Sequence, residues 1–406
     1  MQPGSPPRPG SRPQIGIGGC RIGPRAKALV AEVLDSNRLS AGPMTERFER
    51  EIAELHGARY GLFCNSGTSA LQIALGALKE REGWADGDEV LVPAVTFIST
   101  SNVVLYNGLK PVFVEVEGEG YGIDPARIEA RITPRTRAIM PVHVGGLPCD
   151  MDPVMEIARR RKLRVVEDCA EAMFARYKGA PVGSFSDVAC FSTYVAHMIS
   201  TGVGGLCTTD DAEVMVVLKS LMNHGRDSIY TRIDDDQGME GRRLFEVAAR
   251  RFSFVRLGHS FRCTEMEAAL GLAELEQREA NCARRREIAA RFDQGLADLG
   301  DRLRLPRARP GAEHVYMFYP ITVTDPRVTR DDLVAWLEDH AIETRYVLPL
   351  VNQPVYRRIF GDIEKDYPVA ARINRSAFYI GCHPEMSDDD VAYVIDAFHG
   401  FFRTRP

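Results

Sequence analysis

From about residue 60 onward, short apolar runs alternate with stretches of helical periodicity. Residues 59–65 read as a strand and 68–79 as an amphipathic helix. Strands follow at 89–92 and 110–116, with a helix over 99–106 between them. Two more, at 138–142 and 163–167, flank a helix at 152–161, and strands at 188–193 and 205–209 close the series. Strand–helix alternation of this kind predicts an α/β fold whose mainly parallel sheet is covered on both faces.

The pattern changes after residue 227. Residues 227–251, centred on IDDDQGMEGRR, are charged and read as a long loop or insertion. An Ala-, Leu- and Glu-rich helix is expected from 264 to about 296, joining a large domain to a smaller one. The strand-like VYMFYPITV and YVLPL and a helix at 329–339 predict an α+β C-terminal domain. The expected division is therefore a tail over 1–14, a large domain over 15–260, and a linking helix with a small domain over 261–406.

Composition narrows the class. The chain has 406 residues, 45% hydrophobic and 26% charged, with net charge −5. These values fit a globular protein with a real core and give no support for nucleic-acid or membrane-surface binding. No apolar run reaches the length of a membrane helix. The opening MQPGSPPRPGSRPQ lacks the apolar stretch of a secretory signal and reads as disordered. Nine Cys without CxxC spacing read as buried free thiols of a cytoplasmic protein, and no cluster has metal-ligand spacing.

Three stretches carry candidate chemistry. Asn65-Ser66-Gly67-Thr68-Ser69-Ala70 sits between a strand and a helix, where glycine and free N–H groups can cradle a phosphate, or where Ser and Thr simply cap the helix. Glu167-Asp168 places an acid at the carboxyl end of a buried strand, where ligands of open α/β sheets bind. Such an acid can pair with a protonated ring nitrogen, or be a solvated loop residue. FSTYVAHMISTGVGG, residues 191–205, puts His197 in a loop between two strands. A lone loop histidine is usually a surface residue, and only its neighbours in the sequence argue otherwise.

Taken together and in this order, the motifs resemble the DegT/DnrJ/EryC1/StrS family of sugar aminotransferases and dehydratases. The resemblance runs from about Gly16 to the C-terminus, through LSAGPMTERFE, NSGTSAL, VPAVTFISTSNVVLYNGLKPVFVEV, MPVHVGGLPCDM, VVEDCAEA, the FST…GVGG loop and TEMEAALGLAELEQ. It implies the fold-type I architecture of pyridoxal phosphate (PLP) enzymes and a homodimer with active sites at the interface. It further implies that Gly67, Thr68 and Ser192 hold the cofactor phosphate, that Asp168 pairs with the pyridine nitrogen, and that Phe97 stacks on the ring. His197, five residues after Ser192, stands where the family's aminotransferases carry the Schiff-base lysine. No Lys occurs between Lys178 and Lys219. Other departures are Glu171 for Gln, Ser260 for an Asn that reaches the partner's phosphate, and Val203 for Glu.

Sugar 3-dehydratases of the family carry His in the lysine slot. Their iron–sulfur subgroup holds cysteines in the insertion, and residues 227–258 contain none. The resemblance thus implies an enzyme of deoxy- or amino-sugar biosynthesis that binds PLP or pyridoxamine phosphate (PMP) non-covalently. Its expected reaction is loss of the C3 hydroxyl from a nucleotide-linked 4-keto-6-deoxy sugar, with His197 as base and an amino donor such as L-glutamate regenerating PMP. One alternative is a sugar aminotransferase with His in the lysine slot, and another is a non-catalytic binding or partner subunit. His143, His224, Arg226, Arg345 and Tyr346 are candidate substrate contacts, against a buried role for His143 and a solvated loop for His224 and Arg226.

Overall fold

The computed structural model describes residues 13–227 and 238–404. Seven strands form the large sheet: β1 (Tyr60–Cys64), β2 (Glu89–Pro93), β3 (Lys110–Val114), β4 (Thr136–Ile139), β5 (Arg164–Asp168), β6 (Val188–Ser192) and β7 (Gly205–Thr209). Their order is β1-β7-β6-β5-β4-β2-β3. The pairs β2–β3, β2–β4, β4–β5 and β5–β6 are parallel, whereas β7 runs antiparallel to both β1 and β6. β2, β6 and β7 are buried along their whole length, as expected of strands covered by helices on both faces.

This topology decides where a ligand can sit. Six of the seven strands point the same way, so the carboxyl ends of β1, β2, β5 and β6 share one edge, and β7 starts there. The return from β6 into β7 is tight. Gly204 has φ 157°, and a Cβ on it would lie 2.4 Å from Thr193 Oγ1.

The C-terminal part folds around a second, antiparallel sheet. Its strands are β8 (Leu303–Arg304), β9 (Phe318–Val323), β10 (Thr344–Tyr346) and β11 (Ala377–Gly381), in the order β8-β9-β11-β10. Phe292, Tyr319, Leu333, Phe378 and Phe398 fill the core beneath it, and Ile15 joins them from the other end of the chain. Ile15 reaches that core by pairing with Ile342, through Ile15 N–H to the Ala341 carbonyl (2.8 Å) and Glu343 N–H to the Ile15 carbonyl (2.9 Å).

Three sequence expectations are revised. The single helix over 264–296 is two helices, Glu265–Leu275 and Arg278–Gly295, broken where Gln277 N–H bonds back only three residues to Glu274. The charged insertion includes a helix, Gly241–Arg250, with Phe245 72% exposed. In YVLPL only Tyr346 belongs to a strand, because Leu348 takes φ 36° ahead of Pro349. The expected tail falls mainly on residues 1–12, and part of the insertion on 228–237, both outside the described residues. Among the described residues, no helix is long and apolar enough to cross a membrane.

One buried acid ties helix Glu265–Leu275 to the start of helix Pro43–Leu55. Glu265 is 1% exposed and accepts from the amides of Gly42 (2.8 Å), Met44 (2.8 Å) and Thr45 (3.0 Å), and from the Thr45 hydroxyl. These donors open helix Pro43–Leu55, whose positive end favours a carboxylate. Glu265→Ala should strand them and lower unfolding free energy by about 3 kcal/mol, read from urea denaturation.

Candidate active site

The turn from β1 into helix Gly67–Glu82 builds a cradle. Ser66 Oγ caps the helix by accepting from Ser69 N–H (3.0 Å), and Ala70 N–H bonds the Ser66 carbonyl (3.0 Å). The leading amides of Gly67 and Thr68 have no protein partner among the described residues. A Cβ on Gly67 would lie 2.8 Å from the Ser192 Cβ, and one on Gly205 would lie 2.3 Å from the Ser66 backbone. Both positions therefore admit only hydrogen, and that brings Ser192 alongside the two free amides. Three donors converging at a helix N-terminus suit a phosphate.

Asp168 ends β5 on the same edge and is 3% exposed. Its carboxylate accepts from Thr100 Oγ1 (2.8 Å) and Ala170 N–H (3.2 Å). Thr100 gives its only proton to Asp168, so Thr96 must donate across the 2.8 Å contact between the two hydroxyls. Burial raises the pKa of Asp168, and these two bonds only partly oppose it. A buried carboxyl held this way is completed by a cationic partner such as a protonated ring nitrogen. Phe97, 58% exposed, follows β2 on this edge and offers a free ring face.

His197 hangs over the turn after β5. Its Nδ1 lies 2.6 Å from the Ala170 carbonyl. A carbonyl only accepts, so Nδ1 carries the hydrogen and Nε2 keeps its lone pair. Nε2 has no partner among the described residues. Burial lowers the imidazole pKa to about 4, the Ala170 bond partly opposing it and Arg285 adding to it. The ring is therefore neutral and able to accept a proton throughout the physiological range.

Glu171, one residue on, accepts from Gly145 N–H (2.8 Å). Burial pushes its pKa up to about 7, against the Gly145 bond and helped by Asp168. From the small domain, Tyr379 stacks on Phe318 at 3.9 Å. Burial raises the Tyr379 phenol pKa, and the Glu171 carboxyl raises it further.

The lower-ranked candidates lie in different places. His143 is fully buried. It accepts from Cys149 N–H at Nδ1 (2.9 Å) and donates from Nε2 to Glu167 (3.1 Å), which leaves no edge for a substrate. His143, Glu167 and Cys169 come within ligand distance of one another, but Glu167 already accepts from Gly183, Phe185 and Ser186 as well. Their lone pairs serve the packing beneath Asp168. His224 is exposed and accepts from Arg262 (3.2 Å), which also binds Ser260 (2.9 Å) and Asn223 (3.1 Å). The Arg226 guanidinium lies 5.5 Å from the Phe252 ring. Arg345 pairs with Glu343 (2.5 Å), and Tyr346 donates to Asp331 (3.1 Å) beneath the Arg330 guanidinium. Val203 is half exposed.

Residues 21–399 match the DegT/DnrJ/EryC1/StrS aminotransferase family. The chain belongs to that family. It is 34% identical over 388 residues to the GDP-perosamine synthase of Caulobacter vibrioides, covering 95% of this chain and 97% of that one. It is 33% identical over 387 residues to a dTDP-4-dehydro-2,6-dideoxy-D-glucose 3-dehydratase of Saccharopolyspora spinosa, covering 92% and 83%. The crystal structure of S. venezuelae DesV superposes with TM-score 0.84 at 32% identity, covering 96% of this chain and 99% of that one. The fold is thus that of the PLP-dependent fold-type I enzymes, and this protein is a PLP-dependent enzyme of the sugar aminotransferase or dehydratase type.

The site fits that cofactor on its own chemistry. The free donors at Gly67, Thr68 and Ser192 suit a dianionic phosphate, and the buried Asp168 carboxyl suits a protonated ring nitrogen. Several of the residues involved were not evident from the chain alone. Thr96 and Thr100 sit in VTFIST and needed only a helical turn of spacing beyond Phe97. Arg262 and Tyr379 gave no signal, because strand pairing and domain packing bring them in.

Gly205→Ala should weaken PLP binding at least tenfold, read by titrating the cofactor's absorbance. Glu171 supplies a pH test. Its folded pKa lies above the ordinary carboxyl value, so its share of stability holds at low pH and is lost as pH rises through about 7. In cofactor-free protein, Glu171→Gln should therefore be more stable than wild type at pH 8, by on the order of 3 kcal/mol in urea denaturation, with the difference vanishing below about pH 4.5.

Proposed function

We propose that the protein removes the C3 hydroxyl of a nucleotide-linked 4-keto-6-deoxy sugar, with PMP held non-covalently and His197 as the base. The observation that carries this reading is the neutral imidazole with Nε2 open, in the slot where the family resemblance expects a lysine. An imidazole cannot form the imine that a lysine amine makes, but it can move a proton. The flanking lysines do not compensate. Lys178 is bound to Asp152, and Lys219 lies in helix Ala212–Met222. The Saccharopolyspora relative, named as a 3-dehydratase, supports the same reading.

Bound at this site, the cofactor supplies an electron sink beside the substrate carbon. The protein's own groups do the rest. Gly67, Thr68 and Ser192 fix the phosphate end. Asp168, steadied by Thr100, keeps the ring nitrogen protonated. Phe97 covers one ring face. The Ala170 carbonyl fixes the His197 tautomer, so that Nε2 is the atom that takes and returns a proton. Glu171, with its pKa raised to about 7 and so half protonated there, stands where the family's aminotransferases carry an amide.

A second reading has a specific support in the 34% identical GDP-perosamine synthase. In that reading the protein is a sugar aminotransferase, and His197 moves the proton while water releases the product. An amino donor such as L-glutamate and a cytoplasmic location belong to both readings. So does a homodimer, which would cover the exposed Phe252, Phe254, Val255 and Leu257.

Incubation with PLP, L-glutamate and 4-keto-6-deoxy nucleotide sugars separates the two. The expected product has lost its C3 oxygen and gained no nitrogen by mass spectrometry, and borohydride leaves no cofactor on the protein. An amino sugar as product would establish the transferase instead, and a borohydride-trapped lysine would overturn the role of His197. His197→Asn should bind PLP within about threefold of wild type yet lose at least 100-fold in rate.

A further inference from the structure

Arg285 lies in helix Arg278–Gly295, between Arg284 and Arg286. It is 3% exposed. Its guanidinium forms no ion pair among the described residues. It donates through Nη1 to the carbonyls of Cys382 (2.6 Å), Met317 (2.9 Å) and Tyr316 (3.2 Å), and through Nη2 to the His197 carbonyl (3.5 Å). Nε is buried without a partner. Tyr316 and Met317 lead into β9 and Cys382 follows β11, so three of the bonds hold the inner end of the small-domain sheet. The fourth holds the loop that carries His197.

A buried cation is costly unless it is compensated, and partial charges on carbonyls compensate it only in part. Nothing in the packing of the small domain demands a positive charge here, because Phe292, Tyr319 and Phe378 already fill its core. What lies within reach of that charge is the imidazole. The groups acting on His197 are the Ala170 carbonyl from the turn after β5, Tyr194 from its own loop at 6.2 Å, and Arg285 from helix Arg278–Gly295. His383 from the small domain and Glu274 from helix Glu265–Leu275 act on Arg285 in turn. The N-terminal arm closes the remaining side, with Gly18 against Ala196 and the Gly16 carbonyl on His383 Nε2 (3.1 Å).

We propose that Arg285 is a positioning residue that joins the small domain to the His197 loop, so that seating of the small-domain sheet sets the orientation of the imidazole and the charge that faces it. The proposal rests on reading His197 as the proton-moving group. A point charge on a flexible stem could supply the field but not the four-way fork, so Arg and Lys are not equivalent at this position.

The test is an NMR titration of the His197 imidazole, its signal assigned by its loss in His197→Asn, in full-length protein with and without PMP. Wild type, Arg285→Met and Arg285→Lys are compared, with thermal unfolding recorded for each. Arg285→Met should raise the His197 pKa by about one unit. Arg285→Lys should leave it within about half a unit, yet slow the L-glutamate-driven conversion of PLP to PMP about tenfold at nearly unchanged KM. If Arg285→Met does not fold, the Lys variant decides alone: wild-type titration and a wild-type rate together overturn the proposal. Unchanged titration in a folded Met variant, with only a lower melting temperature, also overturns it and leaves Arg285 a packing residue. If His197→Asn converts PLP at the wild-type rate, the reading of His197 fails on its own, and the titration still decides whether Arg285 governs the imidazole.

Discussion

The site depends on one short turn, Asp168 to Glu171, at the carboxyl end of β5. Within four residues it presents a buried, hydrogen-bonded Asp168 carboxyl, a carbonyl that fixes an imidazole tautomer, and a Glu171 carboxyl whose pKa burial raises to about 7. β5 is clamped between parallel neighbours, so the turn inherits the rigidity of the sheet. Beneath it, Glu167 collects four donors and locks His143, which keeps the strand end from relaxing into the cleft.

The electrostatics of the site come mostly from exclusion of water. Burial pulls the His197 pKa down and pushes that of Glu171 up, and in each case a single hydrogen bond resists without prevailing. Between about pH 4 and pH 7 both groups are consequently mostly neutral. The two pull stability in opposite directions. The His197 share weakens as pH falls from 6.5 toward 4, and the Glu171 share weakens as pH rises through 7, so the cofactor-free fold is best served between them.

The small domain contributes more than a cover. Tyr379 brings its ring to Glu171 across the Phe318 stack, and the carbonyls around Arg285 tie the inner end of that sheet to the His197 loop. The N-terminal arm closes the circuit by pairing with residues 341–343 and packing on Ala196. Residues from the two ends of the chain thus meet at the same loop.

The sequence by itself determined the strand–helix alternation, the α/β class and the family. It also put Gly67 at a helix start, Asp168 at a strand end and His197 in a loop between two strands. All of these are local: a period of two or 3.6, or a motif within a few residues of a strand end. The tertiary structure alone decided what depends on residues far apart in sequence. It put His143 out of reach by burying it, and split the long helix at Glu276. It buried Arg285 among carbonyls of the small domain and the His197 loop, and brought Tyr379 toward Glu171. No local pattern records such pairings, because burial and partners are set by how distant segments pack, not by the residues beside them in the chain.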